Sequence, residues 1–224
     1  MTKKLPAWVE IGAFVLALVA GIINVVGLLG FQHQSVSHLT GTASLLSLKV
    51  VQGEWALAWH AGGVIFCFFL GAMLSGLIIQ NATLKLGKRY GATLLIESLF
   101  LLLALYLLNQ GFKSGDFFAS AACGLQNAMV STYSGAIIRT THITGTMTDL
   151  GAMLGQRLRG HTIDNRKLGL YLLLSAGFMT GGLVGAYGFL HFRFNTLVLA
   201  IGITQLLALI YWVYWLREKT ARQK

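Results

Sequence analysis

The chain has 224 residues, of which 55% are hydrophobic and 11% charged, with 27 glycines and a mean hydropathy of +0.69. A soluble domain of this size cannot hide so much apolar surface, so the composition excludes a water-soluble fold and points to a bilayer. The formal charge of +10 does not signal nucleic acid, because the basic residues are dispersed over short loops rather than gathered in one patch.

Apolar runs near 8–31, 55–80, 90–110, 116–138, 167–190 and 194–216 are each long enough for a crossing helix, which needs about 20 residues. The first follows Met-Thr-Lys-Lys and Pro6 without a small-residue cleavage site, so it reads as a retained helix. Two further stretches, 37–52 and 141–156, are about 16 residues long, short for a full crossing and suited to a half-helix or re-entrant segment. Trp55, Trp59, Trp212 and Trp215 gather toward run ends as interfacial anchors. Cys67 and Cys123 lie inside apolar runs, as small packing residues rather than a disulfide.

The two short stretches open on a repeated motif. Ser37-His38-Leu39-Thr40-Gly41-Thr42 returns as Thr141-His142-Ile143-Thr144-Gly145-Thr146. Upstream, Gly21-Ile22-Ile23-Asn24 aligns with Gly124-Leu125-Gln126-Asn127, and downstream Gly71-xxx-Ser75-Gly76 answers Gly181-Gly182-xx-Gly185. Internal repeats in membrane proteins commonly mark a transport fold with its site at the repeat interface. The glycine spacings are small-xxx-small ridges, best explained by close helix contact.

Charge orients the runs. With six crossings and the N-terminus inside, the inner face receives Lys3, Lys4, Lys85, Lys88, Arg89, Arg157, Arg159, Arg166, Lys167, Arg217, Lys219, Arg222 and Lys224, with Arg139 near a helix end; Lys49, Lys113 and Arg193 fall outside. Eight full crossings would move Lys85, Lys88, Arg89 and Arg139 outward, against the positive-inside rule. The predicted fold is an all-α integral membrane protein in one domain, residues 1–224. Repeat one, 8–110, and repeat two, 113–216, each have three crossings and a short motif segment. Odd numbers of crossings make the halves inverted, so the two motif segments enter from opposite faces and meet near the midplane.

A Ser or Thr ahead of a helix can cap its first turn, and glycine permits close backbone approach. Two helix starts facing one cavity carry partial positive charge and suit an anion or a polar solute. The candidate binding residues are Asn24, Ser37, His38, Thr40, Gly41, Thr42, Asn127, Arg139, Thr141, His142, Thr144, Gly145 and Thr146. The matched imidazoles can carry protons or bind solute; the plainer alternative for all these groups is helix capping and packing. Glu97, inside the run 90–110, and Asp149, behind the second motif, are candidates for proton or ion coupling, because ionisable groups within apolar runs are costly. Arg139 and Asp149 stand where the first repeat has Ser35 and Leu45; they either pair to close a path, contact solute and proton separately, or pin the motif segment. Glu10 reads as solvated at the inner interface, and Glu54, Asp116 and Asp164 as loop carboxylates.

Val36 to Thr42, Cys123 to Ala128, and the longer stretch Arg139-Thr140-Thr141-His142-Ile143-Thr144-Gly145-Thr146-Met147-Thr148-Asp149-Leu150-Gly151 resemble the YoaK family of bacterial membrane proteins over nearly the whole chain. The resemblance implies a bacterial inner-membrane protein of about six helices with a transport role, and it supplies no substrate.

No phosphate loop, zinc-protease motif, nucleophile elbow or dinucleotide fingerprint is present, so an enzyme is not expected, nor a cofactor or metal. The expected function is a transporter or channel for a small anionic or polar solute; the alternative is a non-transporting scaffold or accessory subunit. The expected partners are the lipid bilayer, a small solute or ion and a second copy of the chain, with no nucleic acid; both termini are expected in the cytoplasm. Cysteines introduced as Lys49→Cys and Lys85→Cys should label from opposite sides of the membrane, and labelling from one side would contradict the inverted arrangement.

Overall fold

The computed structural model describes residues 7–30, 33–79, 88–134 and 138–222; Lys3, Lys4, Pro6, Lys85 and Lys224 lie outside the described residues, as do the side chains of Lys88, Lys219 and Arg222. Among the described residues every regular element is helical: α1 (Ala7–Leu29), α2 (Leu39–Val51), α3 (Trp55–Ile78), α4 (Lys88–Asn109), α5 (Gly115–Ser134), α6 (Ile143–Leu158), α7 (Asn165–Phe192) and α8 (Leu197–Arg222), with a 3-10 turn at Arg193–Thr196 before α8. The motif stretches are the short helices α2 and α6, and the six apolar runs are the other helices.

Length and apolarity alone qualify four stretches for crossing a membrane: Val9–Leu29, Trp55–Ile78, Arg89–Asn109 and Asn165–Arg217, the last running from α7 into α8. Helix α5 is absent from these because it carries Asp116, Ser120, Gln126 and Asn127. Three of those side chains, Asp116, Ser120 and Gln126, are buried, and α5 packs against α3, α4 and α1. It is an interior helix, so its polarity faces protein. Its described part ends at Ser134, whose hydroxyl donates to the Val130 carbonyl at 2.8 Å and accepts the Ile138 N–H at 2.8 Å.

Large apolar side chains stand outside as well as in the two core clusters, and several polar ones are buried. Phe69, Leu77, Leu183 and Leu190 stand on the outer surface, Leu183 at 73% exposure, whereas Thr93, Glu97, Ser120, Gln126 and Thr204 are fully buried. Large apolar groups facing outward along whole helices require an apolar surrounding.

Helix contacts repeat between the halves. α1 packs on α7 as α5 packs on α3, α2 on α3 as α6 on α7, and α5 on α4 as α1 on α8. The first two crossings are backbone contacts at glycine. A methyl group on Gly71 would stand 2.0 Å from the Ala121 carbonyl oxygen and one on Gly124 2.0 Å from that of Phe68; in the other pair, Gly181 faces Leu18 at 2.0 Å and Gly21 faces Phe178 at 2.2 Å. Lipid gives helices no hydrophobic reason to associate, so such approach, which brings many backbone atoms into van der Waals range, is what holds them. The small-residue ridges are therefore packing surfaces, although a methyl on Gly76 would meet nothing within 4 Å.

Gly71→Val and Gly181→Val should each destabilise the fold by about 1–3 kcal/mol or more, whereas Gly12→Ala and Gly62→Ala, with open space around them, should be neutral or mildly stabilising. Thermal unfolding in detergent measures the difference.

Candidate functional site

The turn before α2 is built on one amide. Asn24 Oδ1 accepts from the hydroxyls of Ser35 and Ser37, the latter at 2.8 Å, and from the Ser37 N–H at 3.3 Å. Ser35 in turn accepts the His38 N–H at 2.7 Å, and its carbonyl takes the Thr42 hydroxyl at 2.8 Å. From α5, Ser120 donates to the carbonyls of Val36 and Val64, at 2.9 and 2.8 Å, tying this turn to α3. The corresponding turn before α6 is held differently: Gln126 Nε2 donates to Thr140 Oγ1 and to the Leu16 carbonyl, both at 3.0 Å.

These braces deliver two helix starts of nearly the same shape. His38 (φ −99°, ψ 75°) and His142 (φ −99°, ψ 58°) occupy the N-cap positions of α2 and α6, and neither helix has a side-chain cap. This corrects the expectation that a motif Ser or Thr caps the first turn. Thr42 and Thr146 point the other way, their hydroxyls returning to the carbonyls of His38 and His142 at 3.4 and 2.9 Å. The motif glycines are corrected too. A methyl on Gly145 would stand 2.2 Å from the His142 ring and one on Gly41 2.9 Å from His38 Nδ1. Each glycine therefore makes room for the imidazole three residues earlier, not for a neighbouring helix.

Both starts open on one cavity of about 430 Å³. The first half contributes Ser37, His38, Leu39 and Thr40, with Phe68 of α3; the second contributes Asn127, Ser131, Arg139, Thr141, His142, Ile143 and Thr144. A second cavity of about 320 Å³ shares Arg139 and His142 with the first and adds Gly145, Thr146, Thr148, Asp149 and Tyr171. Eight of the thirteen candidate binding residues thus surround the first cavity, and Gly145 and Thr146 belong to the second. Asn24, Gly41 and Thr42 line neither: Asn24 and Thr42 are spent inside the fold. The matched amides have separated in role, since Asn127 lines the cavity and its Oδ1 has no hydrogen-bond partner among the described residues.

The two carboxyl candidates also separate. Asp149 lines the second cavity. Glu97 on α4 is fully buried, its carboxyl oxygens have no partner among the described residues, and it lines neither cavity. Arg139 and Asp149 form no ion pair, which removes the reading in which they pin the motif segment; ion pairs join Lys49 to Glu54 and Arg166 to Glu10, and His60 hydrogen-bonds Asp116. Glu10 is therefore paired, at 2.8 Å, rather than simply solvated. Asp164 caps α7, accepting the N–H groups of Arg166 and Lys167 at 3.0 and 3.1 Å.

Asp116 is the carboxylate that sequence reasoning misplaced. It lies in the first turn of α5, 1% exposed, 3.1 Å from His60 Nε2 of α3, whose ring packs on Phe117 at 4.8 Å. The two residues are 56 positions apart, so no local pattern could pair them. Asp116→Asn and His60→Gln should each cost about 1–3 kcal/mol, because each leaves a buried partner unsatisfied. Their double variant should lose less than the sum. Glu54→Gln, at the exposed pair, should stay within about 0.5 kcal/mol of the parent; denaturation in detergent checks all four.

No curated protein and no solved structure matches the chain. A family model described as a protein of unknown function, DUF1275, matches residues 12–210. That span takes in every helix described above in whole or in part, both motifs and both cavities, and the chain belongs to the DUF1275 family, whose function is unknown.

Proposed function

We propose that the chain is a membrane transporter or channel for a small anionic or polar solute, bound where the two motif helices begin. The observation that carries this reading is the single cavity of about 430 Å³ bounded by both His-x-Thr-Gly-Thr starts, a size in the range of small-molecule sites. Thr40, Thr141 and Thr144 offer hydroxyls, His38 and His142 imidazoles, Asn127 an amide and Arg139 a charge, while Ser37 lines the cavity with its proton given to Asn24. The equivalent helix pairings of the two halves support an architecture of two repeats, and the basic loops support their inversion and cytoplasmic termini. The YoaK resemblance supports a bacterial inner membrane.

The chain is read as a carrier of solute rather than a catalyst: adjacent serine and histidine in the motif do not give a nucleophile facing its base, and no group of three or more His, Cys, Asp or Glu side chains suited to a metal occurs among the described residues. Against a pure scaffold, the two motif starts and Arg139 border one open cavity instead of packing on one another. For coupling, Asp149 is the better placed of the two carboxyls, because it faces a cavity and Glu97 does not.

Purified protein in liposomes, screened with small anions and neutral polar solutes, tests the reading. Thr40→Val, Thr144→Val, His38→Gln and His142→Gln should each lower flux about three- to tenfold, the loss of one hydrogen bond, with melting temperature unchanged. Full flux in all four variants, or losses that merely track the amount of folded protein, would make the cavity a packing feature.

A further inference from the structure

We propose that the transported solute is a small planar oxyanion of single charge, a carboxylate or its inorganic counterpart, and that it passes from the first cavity to the second across Arg139, with Asp149 competing for the same guanidinium. This rests on the transport reading above.

The charge inventory of the two cavities carries the inference. The first is lined by Arg139 and two imidazoles and by no carboxylate. Arg139 is exposed and makes no ion pair with any described residue, so its guanidinium stands at the cavity with its donors available to an anion. The helix starts at His38 and His142, which have no side-chain caps, add partial positive charge of the same sense. A guanidinium presents a planar fork of donors, which matches two oxygens in a plane and favours a carboxylate-like shape over a sphere.

Arg139 is also shared between the cavities, whereas Asp149 lines only the second, beside Tyr171. The first repeat has Ser35 and Leu45 at these places, so the charged passage exists on the second-repeat side alone. An anion held at Arg139 and the Asp149 carboxylate seek one cation. Occupation by one excludes the other, and pairing of Arg139 with Asp149 expels the solute and resets the passage.

The test measures uptake of nitrate, pyruvate, sulfate and xylitol into proteoliposomes, with nitrate-dependent thermal stabilisation of the detergent-solubilised protein as a binding readout. The parent protein should move nitrate and pyruvate in preference to sulfate and xylitol. Arg139→Gln should lose about thirtyfold or more of that flux, and Arg139→Lys, which keeps the charge but not the fork, about tenfold. Asp149→Asn should reach half-maximal uptake at about threefold lower anion concentration or less, with slower turnover, because a competitor is gone. Nitrate should stabilise the parent and the Asp149→Asn variant but not Arg139→Gln. If the parent moves xylitol or sulfate as well as the planar anions, or if Arg139→Gln and Arg139→Lys keep full anion flux and stabilisation, the inference fails while transport stands. If the parent moves none of the four probes, the transport reading fails with it.

Discussion

Two backbone crossings through glycine set the rest of this structure. In lipid the outer face of a helix is already in apolar surroundings, so nothing like the hydrophobic effect drives helices together. Contact must come from close approach, and Gly21 with Gly181, and Gly71 with Gly124, bring α1 onto α7 and α5 onto α3 until a methyl group no longer fits. The motif turns are attached to these same pairs. Asn24 on α1 holds the turn before α2, and Ser120 and Gln126 on α5 reach the turns before α2 and α6. The position of both helix starts is therefore inherited from two glycine contacts.

The second constraint is polar satisfaction away from water. Ser120 and the Gln126 amide nitrogen, both fully buried, each serve two acceptors on separate segments, which offsets desolvation of those donors and fixes the geometry at once. Arg139 behaves differently: it is exposed and makes no ion pair with a described residue. The repeated motif is divided within itself: Thr42 and Thr146 return to the backbone, while Thr40 and Thr144 line the cavity.

Duplication supplies a near-symmetric frame, and the chemistry lies in the departures from it. Arg139 and Asp149 have no charged counterparts in the first repeat, and the amide at position 24 is consumed as a brace where the residue at 127 lines the cavity.

Much of this was legible in the chain alone. The apolar runs located the six long helices because about 20 residues are needed to cross a bilayer whatever the fold, and the repeated motif located the two short helices whose starts meet. The small-residue spacing marked the contact faces, since only glycine admits such approach. Local pattern could not say which hydroxyls would be consumed, because Thr40 and Thr42 differ only by which face of one turn they occupy. Nor could it show that each motif glycine serves the preceding histidine, that Glu97 lies apart from the cavities, or that Asp116 finds His60 across 56 residues. Those outcomes depend on which helix lies beside which. Sequence spacing carries the periodicity of one helix, and only the packed chain decides what each face meets.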